Sequence, residues 1–418
     1  MRVLVLGCTA ATSWGRDQLT RLAAQARRRG LTLIGADTAA KLRAAHPAEL
    51  ASVDETVELD VRDPAACRAW ARTAGAGAGI DAVVTVHELS VLCTAVVATE
   101  LGLPGNDPDV VTGIRTKDVC RERLRESGFL QPVTAVCRTR ADAEKFMLAN
   151  AGPWVVKPRD GLGSSGVSML RGLGDLPEAM ATLENVAASL GKFGGATSSD
   201  TFLIETFVDG PEFSAEGVVL GGAPRVLALT AKMTNDRFIE TGHRVPAPLD
   251  EATAVLATET VEKGVTAAGV THGVFHVEFW LTDAGVVLGE VHARQGGDYL
   301  HALVEHSRPG LELYGLLLDD LLGRPTAPIP PQTGAAGSEF LLLPPGTLYA
   351  VAGWQEIVEH PCTLAADLLV SPGASLGPIA DSLDRHGVIA AGADGLPAVD
   401  DALGDLRSRL VVDIARTA

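Results

Sequence analysis

The chain has 418 residues, a length typical of two to four domains. Apolar residues make up 46% of the sequence and charged residues 21%, which excludes a wholly disordered chain. The 52 acidic against 35 basic side chains give a net charge of −17, which argues against general binding to nucleic acid or to an anionic membrane. Any anionic ligand would therefore be held by a few well-placed cations and backbone amides.

The six cysteines lie far apart along the chain, and none of them form a Cys-x-x-Cys pair. This spacing predicts reduced, mostly buried thiols rather than disulfides or zinc ligands. The first residues, MRVLVLG, form a short apolar run without a cationic leader, so we expect a strand there and not a signal peptide. No stretch approaches the roughly 18 apolar residues of a membrane span. The sequence therefore predicts a soluble, cytoplasmic protein.

The first quarter of the chain alternates between apolar runs and helical stretches. The predicted order is strand 2–6, helix 16–29, strand 31–35, strand 81–86 and a helix that ends at Leu101. This alternation predicts a doubly wound parallel sheet. Gly7 is followed by Cys-Thr-Ala and not by a GxGxxG fingerprint, which argues against a dinucleotide site.

A strand-rich region begins at Trp154 and continues to about residue 300. Its end is marked by the clearest linker of the chain, residues 325–331, of which four are prolines. Short apolar runs separated by Gly and Pro follow and predict a small α+β lobe. We therefore expect three parts: an N-terminal α/β domain over 1–112, a central domain over 113–325 and a C-terminal lobe over 326–418.

The most specific segment, residues 154–167, is predicted to be a strand with a cationic tip, a loop of small residues and a second strand. Lys157 at the strand end can pair with phosphate oxygens, and loop glycines let backbone amides approach them. The loop residues concerned are Gly161, Gly163, Ser164, Ser165 and Gly166. A glycine-rich hairpin beside an unrelated lysine is the alternative. The segment is not a Walker loop, because no Gly-Lys-Ser/Thr opens a helix.

A second segment, residues 202–214, is predicted to be a strand that turns at Gly210-Pro211 and continues as another strand. Backbone groups at such a bend can pair with an adenine edge, and Glu212 just beyond it can hold ribose hydroxyls. A surface turn with solvated carboxylates is the alternative interpretation.

A third segment, residues 276–294, is predicted to be a β-hairpin with the three-residue loop Asp283-Ala284-Gly285. Centring the hairpin on Ala284 places Glu278 opposite Glu290 and His276 opposite His292, and alternation puts all four on one face. A bulge at Gly285 would shift this register by one residue.

Two carboxylates that oppose each other across strands repel unless a cation lies between them. Glu278 and Glu290 therefore suit a hard divalent cation, Mg²⁺, that bridges carboxylates and phosphate oxygens. A zinc site formed by His272, His276 and His292 is one alternative, and solvated edge carboxylates are another.

These three segments, in this order, resemble the ATP-grasp superfamily over roughly residues 1–320. The resemblance implies that Lys117, Lys157 and the loop over 161–167 hold the ATP phosphates. It implies an adenine hinge at Glu205, Thr206, Phe207 and Val208, with Glu212 on the ribose. Glu278 and Glu290 correspond to the Mg²⁺ ligands, and Arg294 completes a Glu-x-Asn-x-Arg pattern. His292 replaces the Asn of that pattern, so it either binds the metal or faces the substrate.

A further set of residues resembles the amino-acid ligase branch of the superfamily. Lys232 would lie near the terminal phosphate, and His243 and Arg244 would lie on a loop that faces the acyl phosphate and a substrate carboxylate. Residues 326–418 resemble the C-terminal lobe of dipeptide-forming L-amino acid ligases. The loops over 161–167 and 232–246 are the expected lids.

The resemblance implies a fold of mixed α/β and α+β class, an ATP-grasp fold with an N-terminal doubly wound parallel sheet and a C-terminal α+β lobe. It implies an ATP- and Mg²⁺-dependent carboxylate–amine ligase, with Mn²⁺ as a substitute metal. The reaction would form an acyl phosphate, and the partners would be small-molecule substrates, with a homodimer left open. A biotin- or carrier-dependent carboxylase and a non-catalytic nucleotide-binding protein are the alternatives.

Overall fold

The chain folds into four β-sheets and flanking helices in the computed structural model, which describes residues 1–10, 12–161, 163–190 and 200–415. Leu162, in the predicted glycine loop, lies outside the described residues. The elements of the N-terminal part are β1 (Arg2–Leu6), α1 (Ser13–Arg28), β2 (Thr32–Asp37), α2 (Ala39–Ala44), α3 (Pro47–Leu50), β3 (Glu55–Glu58), α4 (Pro64–Arg72), β4 (Ala82–Thr85) and α5 (Val91–Leu101).

The N-terminal sheet is parallel, with the strand order β3-β2-β1-β4. Successive residues of β1 point to opposite faces, so Val3 and Val5 join a core with α1, whereas Leu4 and Leu6 join a second core with α4 and α5. Both faces of the sheet are therefore covered by helices. This confirms the predicted doubly wound parallel sheet.

A smaller antiparallel sheet, of strand order β5-β8-β6-β7, follows in the chain. The elements of this part are α6 (Pro108–Arg115), α7 (Lys117–Glu126), β5 (Thr134–Cys137), α8 (Arg140–Ala149), β6 (Trp154–Pro158), β7 (Ser168–Leu170), α9 (Leu176–Leu190) and β8 (Phe202–Thr206). Val155 of β6 pairs with Glu205 of β8, and Lys157 pairs with Leu203. Lys157 and Glu205 therefore project from the same face of this sheet.

The largest sheet has eight strands in the order β13-β12-β9-β10-β11-β14-β18-β16. Its first part and the adjoining helices are β9 (Glu212–Leu220), β10 (Ala223–Thr234), β11 (Glu240–Val245), α10 (Glu251–Ala268), β12 (Gly273–Thr282), β13 (Gly285–His292), α11 (Leu300–Ser307) and α12 (Leu313–Leu321).

The C-terminal part consists of β14 (Ala335–Leu341), β15 (Gly346–Ala352), α13 (Trp354–Val358), β16 (Thr363–Leu368), β17 (Ser375–Leu376), β18 (Gly387–Ala393), α14 (Leu396–Arg409) and β19 (Val411–Ala415). Strand β14 pairs with β11 of the central part, so the large sheet continues across the proline-rich connection at 325–331. Side chains of the C-terminal part are thereby brought next to those of β11.

The cysteines and the helices agree with two expectations from the sequence. All six cysteines are free, and five of them are buried, which confirms the prediction of reduced thiols. None of the helices within the described ranges combines the length and the apolar character that crossing a membrane requires.

Candidate active site

A buried charge cluster joins the small sheet to helix α7. Lys157 Nζ lies 2.7 Å from a carboxylate oxygen of Glu205, and Arg121 of α7 hydrogen-bonds both oxygens of the same carboxylate. The three residues are at most 7% exposed. Burial favours the neutral acid, but Arg121 and Lys157 prevail and lower the pKa of Glu205 to about 2. The side chain of Glu205 thus pairs with two cations. The resemblance had implied only that Glu205 belongs to the adenine hinge.

The remaining residues of the expected hinge follow directly on β8. The Phe207 amide donates to the Pro153 carbonyl oxygen at 2.9 Å, and the Thr206 amide donates to the Val133 carbonyl oxygen at 3.0 Å. Val208 comes next in the chain and is half-buried. The segment is therefore anchored to its neighbours by two amides before it reaches Val208.

The glycine loop turns between β6 and β7 with several residues in the left-handed region. Gly163 has a φ of +65° and Gly166 a φ of +77°, values that glycine adopts without a steric cost, and Ser164 also has a positive φ. Lys117 Nζ donates to the Gly161 carbonyl oxygen at 2.9 Å. The loop and the lysine expected to share phosphate binding are thus in direct contact.

The glycine loop also touches the C-terminal part of the chain. Ser165 Oγ donates to Asp381 Oδ2 at 2.5 Å, and the Ser382 amide donates to the Gly163 carbonyl oxygen at 3.2 Å. The segment that precedes β18 therefore covers one side of the loop.

A second charge cluster lies on the large sheet around Lys232 of β10. Its Nζ is 2.6 Å from Glu212, 2.9 Å from Glu240 and 2.7 Å from Glu278. Burial disfavours the ammonium, but the three carboxylates prevail and hold the pKa of Lys232 well above its ordinary value. Lys232 and the two acidic residues expected on the ribose and the metal, Glu212 and Glu278, are therefore brought together, and Glu240 joins them.

The β12–β13 hairpin confirms part of the predicted register and corrects the rest. His276 pairs with His292 as predicted, and their ring centroids are 5.6 Å apart. The loop has two residues and not three, because Thr282 pairs with Gly285.

A β-bulge restores the predicted register before the histidines. Val277 pairs with Val291 but Phe279 pairs with Leu288, so Glu278 faces Gly289 and Glu290 together instead of Glu290 alone. The bulge therefore lies at Gly289 and Glu290 and not at Gly285, the position at which a register shift had been considered.

A chain of charged groups extends from Glu290 to the N-terminal domain. Glu290 lies 3.0 Å from Lys117 Nζ and 3.4 Å from His292 Nε2. His292 Nδ1 is 3.5 Å from Glu88, to which Arg294 Nε also donates a hydrogen bond. His292 and Arg294 therefore meet at a carboxylate that comes from the turn before α5.

A neighbouring histidine carries a charge that sequence reasoning missed. His276 Nδ1 is 2.8 Å from Glu216, and its Nε2 is 3.7 Å from Glu278. Burial disfavours the imidazolium, but Glu216 and Glu278 prevail and raise the pKa of His276 to about 9. His276 is thus paired with two carboxylates, and His272, His276 and His292 are not assembled as a three-ligand metal site within the described residues.

The donor set around the hairpin fits a hard divalent cation by its chemistry. Glu278 and Glu290 offer carboxylate oxygens, the ligands that Mg²⁺ prefers, and both are already paired with an ammonium group. No cluster of three or more His, Cys, Asp or Glu side chains is assembled as a metal site within the described ranges. Glu278 and Glu290 thus carry the negative charge that a divalent cation needs, and in this structure each of them is paired with a lysine.

Two expectations for the segment after Lys232 are corrected. Residues 240–245 form β11, in the interior of the large sheet, and not a lid loop. His243 pairs with Lys232 across β10 and β11 and is 1% exposed. Its Nδ1 is 3.3 Å from Ser338 Oγ, and burial lowers its pKa to about 4. His243 is therefore a neutral, buried strand residue beside Lys232.

Arg244 lies on the opposite face of β11 from His243, because neighbouring strand residues alternate. Its guanidinium is paired with Asp400 at 2.6 Å and with Glu339 at 3.3 Å. The expectation that Arg244 faces the acyl phosphate is therefore wrong, because the side chain points toward α14.

The C-terminal part supplies an arginine that no motif indicated. Arg385 is 7% exposed and hydrogen-bonds both carboxylate oxygens of Asp298, at 2.8 and 2.9 Å. Its Nη1 is 3.6 Å from Glu240, one of the carboxylates around Lys232. Arg385 thus reaches the second charge cluster from outside the segments that carry the motifs.

Three stretches of the chain match known protein families. Residues 23–105 match an ATP-grasp N-terminal domain, residues 150–302 match an ATP-grasp domain, and residues 339–415 match an L-amino acid ligase C-terminal domain. The chain belongs to the ATP-grasp superfamily, which confirms the predicted fold class.

Individual relatives agree with this assignment. The chain is 27% identical over 305 residues to the uncharacterized protein y4rH of Sinorhizobium fredii, covering 73% of this chain and 62% of that protein. It is 30% identical over 257 residues to carnosine synthase 1 of Mus musculus, covering 57% and 29%. The chain thus spans less than two thirds of these curated relatives.

A solved structure of an L-amino acid ligase from Bacillus licheniformis has the same fold. It superimposes with a TM-score of 0.80 at 24% identity and covers 99% of both chains. This likeness extends over all parts of the chain, including the C-terminal part that contacts the glycine loop.

Proposed function

We propose that this protein is an ATP-dependent ligase that joins the carboxylate of one small molecule, an amino acid, to the amine of another. The observation that carries the proposal is the meeting of four cations and two metal-type carboxylates along neighbouring sheets: Lys117, Lys157, Lys232, Arg294, Glu278 and Glu290. The similarity to carnosine synthase and to an L-amino acid ligase supports an amino-acid substrate.

The proposed reaction has two steps. A carboxylate oxygen attacks the γ-phosphorus of ATP and displaces ADP, which leaves an acyl phosphate. The nitrogen of the second substrate then attacks the acyl carbon, phosphate leaves, and the amide forms with the release of a proton. The first step develops charge on phosphoryl oxygens, and buried cations stabilise such charge without reorganisation.

In this proposal, Lys157, Lys117 and the glycine loop hold the phosphates, and residues 205–208 hold the adenine. Glu278 and Glu290 would hold Mg²⁺, or Mn²⁺ in its place, with His292 as a third ligand or a substrate contact. The metal would supply positive charge to the phosphate oxygens. The glycine loop closes over the site and excludes water, which would hydrolyse an acyl phosphate. The domain division at residues 112 and 325 and a cytoplasmic location belong to the same proposal.

The test is a screen for phosphate release from ATP with pairs of amino acids, followed by mass spectrometry of the products. We expect at least one pair to give an amide in amounts equal to the phosphate released. Phosphate release that requires bicarbonate would favour a carboxylase instead. ATP binding without release of phosphate under any pairing would favour a non-catalytic nucleotide-binding protein.

Lys157→Met is expected to weaken ATP binding by about 10- to 100-fold, because it removes a charged hydrogen-bond donor from the phosphates. Methionine is chosen because Lys157 is buried, and a smaller side chain would leave a cavity. Calorimetric titration with ATP provides the measurement.

The matched control for that prediction is Lys263→Met, since Lys263 is an exposed lysine of α10 that pairs with Glu259. Its ATP affinity should equal that of the unsubstituted protein. If Lys157→Met binds ATP equally well, Lys157 is not a phosphate ligand and the glycine loop is a structural hairpin.

A further inference from the structure

Arg385 lies at the end of the segment that precedes β18, in the C-terminal part of the chain. Its guanidinium carbon is 3.7 Å from the centroid of the Phe340 ring, a cation–π contact that fixes its plane. Nε donates to the Ser382 carbonyl oxygen at 2.6 Å, and Nη2 donates to both oxygens of Asp298. Two of the three nitrogens of this guanidinium therefore have partners, and the group is held in one orientation.

The third nitrogen, Nη1, is buried and has no hydrogen-bond partner among the described residues. Glu240 Oε2 lies 3.6 Å from it, beyond hydrogen-bond distance. A buried charged donor without an acceptor is costly and uncommon in folded proteins. Its presence in a rigidly held side chain indicates a position that an acceptor from outside the chain occupies.

The unpartnered nitrogen lies next to a group of residues that belong to the proposed active site. Glu240, the carboxylate it faces, is also 2.9 Å from Lys232 Nζ, so Nη1 lies beside the second charge cluster. Lys232 is the lysine expected near the terminal phosphate, so the acceptor would lie close to the reacting end of the site.

Resting on the proposed function, we infer that Arg385 Nη1 binds a free carboxylate of an amino-acid substrate, one that is not converted to the acyl phosphate. A guanidinium is the side chain best suited to a carboxylate, and here it is desolvated and preorganised. Two substrates offer such a group: the α-carboxylate of the amino acid that supplies the amine, or an acidic side chain of the amino acid that is activated.

The protonation of Asp298 is relevant to the binding of a second carboxylate by the same arginine. Burial, together with Glu240, raises the pKa of Asp298 to about 6 in spite of Arg385. This carboxyl therefore takes up a proton more readily than an ordinary aspartate when another anion binds Arg385.

The experiment compares the unsubstituted protein with Arg385→Met and Arg385→Lys for the best substrate pair. Each amino acid is tested as the free acid and with the relevant carboxylate replaced by a carboxamide. We expect the unsubstituted protein to prefer one free acid over its carboxamide by about 10- to 100-fold in kcat/KM. Arg385→Met should raise the KM of that acid by a similar factor, leave the ATP KM within about twofold and abolish the preference, and Arg385→Lys should restore part of it.

The arms of the experiment identify the source of the carboxylate. If Arg385→Met loses the preference for the free acid only in the amine-supplying amino acid, Arg385 binds the α-carboxylate of that substrate. If the preference is lost only in the activated amino acid, Arg385 binds an acidic side chain of that substrate. Arg407→Met is the matched control, since Arg407 is an exposed arginine of α14 that pairs with Glu339. It should change none of these values.

The inference is overturned if Arg385→Met retains the acid preference, or if it raises the amino-acid and ATP KM values equally. If Arg385→Met does not fold, as judged by circular dichroism, the acid preference of Arg385→Lys decides. If the unsubstituted protein forms no amide, the proposed function fails. Calorimetric binding of free amino acids and their carboxamides to the unsubstituted and Arg385→Lys proteins then tests Arg385 by itself, and equal affinities throughout would overturn it.

Discussion

Glu290→Gln is expected to lower the turnover of amide formation by about 100-fold or more, because it removes one of two carboxylates that hold positive charge at the reacting phosphate. Burial favours the neutral acid, but Lys117 and His292 prevail and hold the pKa of Glu290 below its ordinary value. The carboxylate is therefore ionised at neutral pH. Glutamine preserves the size of the side chain, so the loss would reflect charge and not packing.

The measurement is the rate of phosphate release at saturating ATP over a range of Mg²⁺ concentrations. The Glu290→Gln variant should also need more Mg²⁺ to reach its lower maximum rate. Glu259→Gln, on the exposed surface of α10, is the control and should match the unsubstituted protein. Full activity of the Glu290 variant would contradict the assignment, as would activity that needs zinc and persists without Mg²⁺.

The parts of the site that lie within one local segment could be predicted from the sequence. The strand–loop–strand pattern around Lys157 was read from residues 154–167, and the structure has β6 and a loop with positive-φ glycines there, followed by β7 from Ser168. The pairing of His276 with His292 likewise depends on one hairpin. The shorter loop and the bulge were not predicted. The loop has one residue fewer than expected and the bulge adds one residue, so the two changes cancel before the histidines and leave their pairing as predicted.

The partners of the charged residues could not be predicted, because they lie far away in the chain. Arg294 meets Glu88 across 206 residues, and Arg121 meets Glu205 across 84. A single Glu or Arg in a sequence carries no sign of such a partner, since most are solvated surface residues. Arg385 reaches the site only because β14 extends the large sheet from β11.

The error at Arg244 has a different cause, since it came from assigning a loop where the chain forms a strand. Residues 240–245 contain Thr, His and Val around a single glycine, a composition that a buried strand also tolerates. Had this stretch been assigned to a strand, alternation would have separated His243 from Arg244 at once. The assignment of secondary structure thus decided which side chains were expected to share a site.

Glu205→Gln is expected to destabilise the protein by about 3–5 kcal/mol, because it leaves two buried cations without a compensating charge. Arg121 is 2% exposed and Lys157 is 7% exposed. Arg121 also donates to the Gln131 side chain at 3.1 Å and to the Leu288 carbonyl oxygen at 3.3 Å, so it connects α7 with the large sheet. Arg121→Met should cost less than Glu205→Gln, because Lys157 still neutralises Glu205 from 2.7 Å.

The pH dependence of unfolding tests the same cluster. The pKa of Glu205 is lowered from 4.5 to about 2, so its stabilising contribution is complete above about pH 4.5 and is lost as the pH falls toward 2. The difference in stability between the unsubstituted protein and Glu205→Gln should therefore be largest at neutral pH and shrink in acid. Urea unfolding at pH 7 and pH 3 measures it, with Glu144→Gln, a partly exposed residue of α8 paired with Arg140, as the control. A Glu205→Gln variant within about 0.5 kcal/mol of the unsubstituted protein at pH 7, the range of ordinary surface substitutions, would show that the three charges do not stabilise one another.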